Sequence, residues 1–186
     1  ESVTVFVIGS LLNLSPNENF NGSATITVTA SDGTESSSPA SFTLTVNPVN
    51  DAPVLASIAD QSTAEDTPLT VTLSASDVDG DSLTYSAVSS TEDIIVSVSG
   101  SVLTLAPVSN FNGSGIINVT ASDSTVSSNT VTFTVTVTSI NDVPVLAAID
   151  NQSVSEDQSM SVSLSATDED GDNITYSAVS DTAAVS

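Results

Sequence analysis

Residues 130–138 read TVTFTVTVT. Val131, Phe133, Val135 and Val137 fall on one side of an extended chain and the threonines on the other. Alternation of period two marks a half-buried antiparallel strand. Leu69, Val71, Leu73 and Ala75 repeat the pattern, as do Leu83, Tyr85 and Ala87. Further short strands fit near 53–58, 94–98, 102–105 and 115–121, with Gly, Asn, Asp or Ser clusters between most of them. No segment shows sustained helical spacing.

Self-comparison extends this reading to the whole chain. NDAPVL at 50–55 returns as NDVPVL at 141–146, an offset of 91 residues. The same offset carries NFNGS (19–23) onto 110–114, ASDG (30–33) onto ASDS (121–124), and DVDGDSLTYSAVS (77–89) onto DEDGDNITYSAVS (168–180). Without a gap, 52 of the 95 overlapping pairs are identical. Such a period is too long for a solenoid turn and suits a tandem array of whole domains. One complete unit is expected over 50–140, with the second half of a preceding unit at 1–49 and the first half of the next at 141–186. Seven short strands per unit predict an all-β, immunoglobulin-like sandwich with a modest core. Glu1 opens in mid-pattern, so the chain reads as a piece of something longer.

Charge excludes many functions. The 186 residues hold 23 Asp and Glu and no Lys, Arg or His, for a formal charge of −23. Without a cation the chain cannot neutralise phosphates, which argues against nucleic-acid partners and against docking on anionic lipid. Without Cys or His there is no disulfide, zinc finger, thiol nucleophile or Ser-His-Asp triad. A 39% hydrophobic content argues against charge-driven disorder. No apolar run approaches the length of a membrane span.

The acids gather at expected strand ends. Asn50-Asp51 and Asn141-Asp142 open the linkers. D-x-D-G-D follows as Asp77, Asp79 and Asp81, and again as Asp168, Asp170 and Asp172. Asp32 and Asp123 follow the penultimate strand, and Glu65-Asp66 and Glu156-Asp157 precede the second. Two carboxylates about 5 Å apart repel by roughly 3 kcal/mol at an effective dielectric near 20. With no basic side chain, only a solution cation relieves this. An all-oxygen set of variable geometry suits Ca²⁺ better than Mg²⁺. The competing reading is that these residues form turns and caps and serve solubility. An EF-hand loop does not fit: its position 12 falls on Val88 and Val179.

ITVTASDG…FTLTVNPVNDAPV resembles the end of a cadherin repeat with its linker, and ASDVDGDSLTYS resembles the cadherin D-x-D turn. The chain is most similar to the cadherin-like tandem repeats of large bacterial surface adhesins, which implies immunoglobulin/cadherin-like sandwiches with Ca²⁺ where domains meet. The resemblance gives Asn50 a side-chain oxygen, Ala52 a backbone carbonyl, Asp77 and Asp79 carboxylates, and Asp123 the closing acid; Asp51 belongs to the same linker. At the next junction Asn141, Asp142, Asp168 and Asp170 take these roles, and Glu65 reaches it from the preceding domain. Two departures stand out. The acidic D-x-E motif before the penultimate strand is replaced by Val108 and Asn110, and the linker acid by Pro48 and Ser139.

The implied function is an extracellular, calcium-stiffened structural or adhesive repeat whose partners are neighbouring repeats or copies of the same chain, head to tail. The alternative is a carbohydrate-binding module of a secreted protein, with surface glycans as partners. Near-identical repetition favours a spacer over an enzyme, because an active site needs only one copy. Most of the aromatics recur in register (Phe20 with Phe111, Phe42 with Phe133, Tyr85 with Tyr176), as core residues do.

Overall fold

The computed structural model describes residues 2–180, and all regular elements in that range are strands. The first four are β1 (Val3–Ile8), β2 (Leu11–Pro16), β3 (Gly22–Val28) and β4 (Ala40–Val46). They form two antiparallel hairpins, β1 with β2 and β3 with β4. Gly9 holds the first turn at φ 64°, a left-handed conformation that glycine adopts without steric cost.

Residues 50–140 build a two-layered sandwich from β5 (Val54–Leu55), β6 (Gln61–Ala64), β7 (Leu69–Thr72), β8 (Ala75–Ser76), β9 (Thr84–Ser89), β10 (Ile94–Ser99), β11 (Val102–Pro107), β12 (Gly113–Ser122) and β13 (Val131–Thr138). One layer runs β10-β11-β7, and β8, two residues beyond β7, pairs with β5. The other runs β6-β13-β12-β9, with β6 parallel to β13. There are thus nine strand segments where alternation predicts seven. Past Leu73 the chain leaves β11 for β5, which splits one expected strand in two. Gln61–Ala64, rich in polar residues, adds a short edge that hydrophobic patterning does not reveal.

The alternating residues point inward as predicted. Phe133, Val135 and Val137 of β13 are buried against Ile117, Val119 and Ala121 of β12, and Leu103 and Leu105 of β11 close the core from the opposite layer. Thr132 and Thr136 face out on β13, and Ser86 and Thr120 bond hydroxyl to hydroxyl across the outer face at 2.8 Å.

Beyond 140 only two short strands form among the described residues, β14 (Val145–Leu146) and β15 (Ala166–Thr167), which pair with each other. The segments at 152–155, 160–163 and 175–180, equivalent to β6, β7 and β9, are not in strands. Residues 181–186 of the expected third unit lie outside the described residues.

Candidate metal centre

The linker at 50–51 is tied into the sandwich by carboxylates. Asn50 donates its amide N–H to Asp123 Oδ2 at 2.8 Å and to the Asp51 carbonyl at 3.0 Å. The Asp51 N–H donates to Asp79 Oδ2 at 2.7 Å. Asp79 belongs to a tight turn in which Asp77 Oδ1 accepts the N–H groups of Asp79 (2.9 Å) and Asp81 (3.2 Å), with Gly80 at φ 79°. Asn50, Asp51, Asp77, Asp79 and Asp123 thus meet at one end of the sandwich.

Two features of this end point to a cation. Asp77 Oδ2 is fully shielded from solvent and has no hydrogen-bond partner. A buried carboxylate oxygen left unpaired is costly, and an ion is one of the few things that satisfies it in a chain without Lys, Arg or His. Asp123 is buried as well (5% exposed). Its Oδ1 accepts the N–H groups of Thr125 (2.6 Å) and Val126 (2.7 Å). The Val126 N–H and then the Asn50 amide hold this carboxyl below its usual range, so it is firmly an anion. Asp32, 91 residues earlier, is lowered in the same way by the N–H groups of Glu35 and Thr34.

The second linker repeats the arrangement and adds an acid from the preceding sandwich. Asn141 Nδ2 donates to the Asp142 carbonyl at 2.7 Å, and the Asp142 N–H to Asp170 Oδ2 at 2.6 Å. Asp168 Oδ1 accepts the Asp172 N–H at 3.0 Å. Glu65 is 4% exposed, and its Oε1 accepts the Ile140 N–H. Glu65, Asp142 and Asp170 each bring a carboxylate oxygen within 4.8 Å of the others, and so do Asp168, Asp170 and Asp172. The crowding registers on Asp142. Burial, then the charges of Asp170, Glu65, Asp66 and Glu169, push its carboxyl above the usual range. The donor set is all oxygen and strongly anionic, which fits a hard divalent cation.

Three acids outside the expected ligand set also contribute. Asp172 closes the D-x-D-G-D cluster, while Asp66 and Glu169 add to the field at Asp142. For Asp172 the signal was present in the third acid of the motif. Asp66 sits at φ 57°, and its Oδ1 accepts the N–H of Asn110, itself at φ 58°. Asn110 stands where the D-x-E acid is missing, and a left-handed turn residue is a role Asn fills well.

The bacterial Ig domain family matches residues 1–45 and 50–136. No curated protein matches the chain. Among solved structures, a human mucin-like protocadherin EC1-2 is similar at 21% identity, TM-score 0.49, over 74% of this chain and 81% of that one. The protocadherin GammaB4 extracellular domain is similar at 19% identity, TM-score 0.48, over 90% of this chain and 33% of that one. The endo-fucoidan hydrolase MfFcnA4 of glycoside hydrolase family 107 is similar at 17% identity, TM-score 0.38, over 74% of this chain and 22% of its own. The chain thus spans a third or less of the last two.

Proposed function

The chain belongs to the bacterial Ig domain family, and from that premise we propose that it is a run of extracellular structural repeats at or beyond the bacterial surface. The repeats are bounded at 49/50 and 140/141, non-catalytic, and stiffened by Ca²⁺ at the junctions. The observation that carries this reading is the orphaned, buried Oδ2 of Asp77 at the foot of the first linker.

At the first junction Asp77, Asp79, Asp123 and the side chains of Asn50 and Asp51 would hold the ion. At the second, Glu65, Asn141, Asp142, Asp168 and Asp170 would do so. The ion supplies the positive charge that the chain lacks. The chain's own part is geometric. The Asx-type turn at Asp77 presents the D-x-D carboxylates, and the Asp51–Asp79 and Asp142–Asp170 bonds pin each linker across its turn. Glu65 comes from the sandwich before the second linker and Asp170 from the segment after it, so one cation binding both would restrain their relative motion. Stiff repeats of this kind meet their neighbours head to tail and project an adhesive or other terminal element away from a cell.

Thermal melting and calorimetric titration with Ca²⁺ test the reading. Saturable binding is expected, with a melting temperature that rises with free Ca²⁺ by mass action, and Asp77→Asn is expected to reduce both. A wild-type melting temperature identical in Ca²⁺ and in chelator would overturn it.

A further inference from the structure

The two lateral sides of the 50–140 sandwich are finished differently. Both layers are complete within these residues, so their edges are those of a whole domain. On one side the edges are β5 and β6, and both are guarded. β5 is two residues long and follows Pro53, and its Leu55 N–H donates across to Asn129 Oδ1 at 3.1 Å. β6 is four residues long, and the Thr134 N–H of β13 beside its start is taken by Asp60 Oδ1 at 2.7 Å. Short edges, proline and charge are the usual means by which a sheet refuses another strand.

On the other side the edges are β9 and β10, and β10 carries none of these guards. It runs six residues, I-I-V-S-V-S, in unbroken register with β11 and without acid or proline. Ser99 and Val102 flank a two-residue turn, and the Val108 N–H bonds the Asp93 carbonyl at 2.8 Å. Asp93, Ile95, Ser97 and Ser99 therefore turn their backbone groups toward β11, and Ile94, Val96 and Val98 turn theirs outward. Among the described residues β10 bonds to β11 alone, which leaves those outward N–H and C=O groups open. Beside them Ile95 is 59% exposed and Val102 41%.

Charge selects the occupant. The chain carries −23, yet the 29 residues from Ile94 to Ser122 hold no Asp or Glu. A cationic partner is drawn to the acidic ends of the sandwich, whereas an equally anionic chain is tolerated only at an acid-free edge. We propose that two copies pair side by side through β10, antiparallel about Val96. Val96 then opposes Val96 of the second copy, and Ile94 opposes Val98, each as a hydrogen-bonded pair that satisfies the open groups. Ile95 opposes Ser97 between them. Asp93 meets Ser99 and Glu92 meets Gly100, so no acid faces an acid. β10 is favoured over β9 because four of its six residues are β-branched, against Thr84 and Val88 in β9. The contact is isologous and closes at two copies, joining β7-β11-β10 of each into one sheet. It uses no cation and no linker residue, so it stands apart from the calcium reading.

The chain has no cysteine, so introduced ones report the register. An Ile95→Cys chain is mixed with a size-tagged Ser97→Cys chain and oxidised in chelator at physiological salt; Ile95→Cys with Ser99→Cys is the displaced control. A non-hydrogen-bonded pair brings its Cα atoms to about 4.5 Å, within disulfide range. The expected result is a cross-linked dimer that is strong in the first mixture and weak in the control or in either chain alone. Sedimentation of the unmodified chain is expected to show a mass rising with concentration toward twice the monomer. Val96→Pro removes an outward N–H at the kind of edge position that accepts proline, and is expected to return the chain to a monomer. A monomer at every concentration would overturn the proposal. So would equal cross-linking in the two mixtures, or association that a folded Val96→Pro chain retains in full.

Discussion

Asn50 and Asp123, 73 residues apart, meet through a 2.8 Å bond from amide nitrogen to carboxylate. That bond anchors the linker to the end of β12 and leaves the buried Asp123 anion partnered on both oxygens. Asn50→Ala removes the side-chain partner of Oδ2 seen among the described residues. A loss of partner to a ligating carboxylate commonly weakens a metal site by about 10- to 100-fold. Calorimetry on the variant is expected to find Ca²⁺ affinity reduced in that range, with the fold retained by circular dichroism.

Asp79→Asn and Asp66→Asn remove the same charge from different places. Asp79 bonds the linker N–H of Asp51, whereas Asp66 occupies a left-handed turn and accepts from Asn110. Asn is at home in that turn and keeps the acceptor. Ca²⁺ affinity is expected to fall on the order of tenfold or more for Asp79→Asn, and much less for Asp66→Asn. Equal titration curves would mean that the acids act only as a diffuse field.

Asp142 gives the metal-free junction a pH signature. Its carboxyl is raised, so in the folded state it keeps a proton at pH values where the unfolded chain has lost it. The folded state then binds more protons, and stability declines as pH rises from the usual carboxylate range through the raised value. Asp123 has the opposite sign: its contribution is present above the unfolded value and is lost as pH falls through the lowered folded one. Melting in chelator across this window is expected to show the decline with rising pH in the wild type. Asp142→Asn is expected to flatten it.

Packing of the repeats makes a prediction independent of the ion. A Cβ at Gly115 would lie 2.9 Å from Ile94 Cδ1 and 2.9 Å from Thr91 Cγ2. Ninety-one residues earlier the pair is Ala24 and Val3, one methyl added and the methyl opposite it removed. Gly115→Ala alone is expected to cost about 1–3 kcal/mol through overpacking, and Ile94→Val alone roughly 0.5–1.5 kcal/mol. The double variant should be more stable than the sum of the two predicts, because the valine lacks the Cδ1 that clashes. Denaturant unfolding of all four proteins completes the cycle.

The strand pattern was legible because alternation is a local property of the chain: Val131, Phe133, Val135 and Val137 share a face whatever surrounds them. Gln61–Ala64 escaped notice because its bonds to β13 are backbone bonds that polar side chains do not announce. The D-x-D-G-D turns and the linker Asn-Asp pairs were visible as motifs, and their recurrence at a fixed offset marked them as one repeated device. Asp66 stood in a recurring Glu-Asp pair, but its influence on Asp142 was not legible, since it depends on how the two segments pack.

The amino-acid sequence by itself determined the class of fold, the 91-residue repetition, the absence of any compensating cation and the composition of each acidic cluster. These are matters of residue type and spacing. Only the tertiary structure decided which acids meet and which oxygen is stranded. Asn50 reaches Asp123, Glu65 joins Asp142 and Asp170, and Asp77 Oδ2 is sealed without a partner. Those relationships join residues 28 to 105 positions apart, and only the pairing of strands and the packing of apolar faces bring them together.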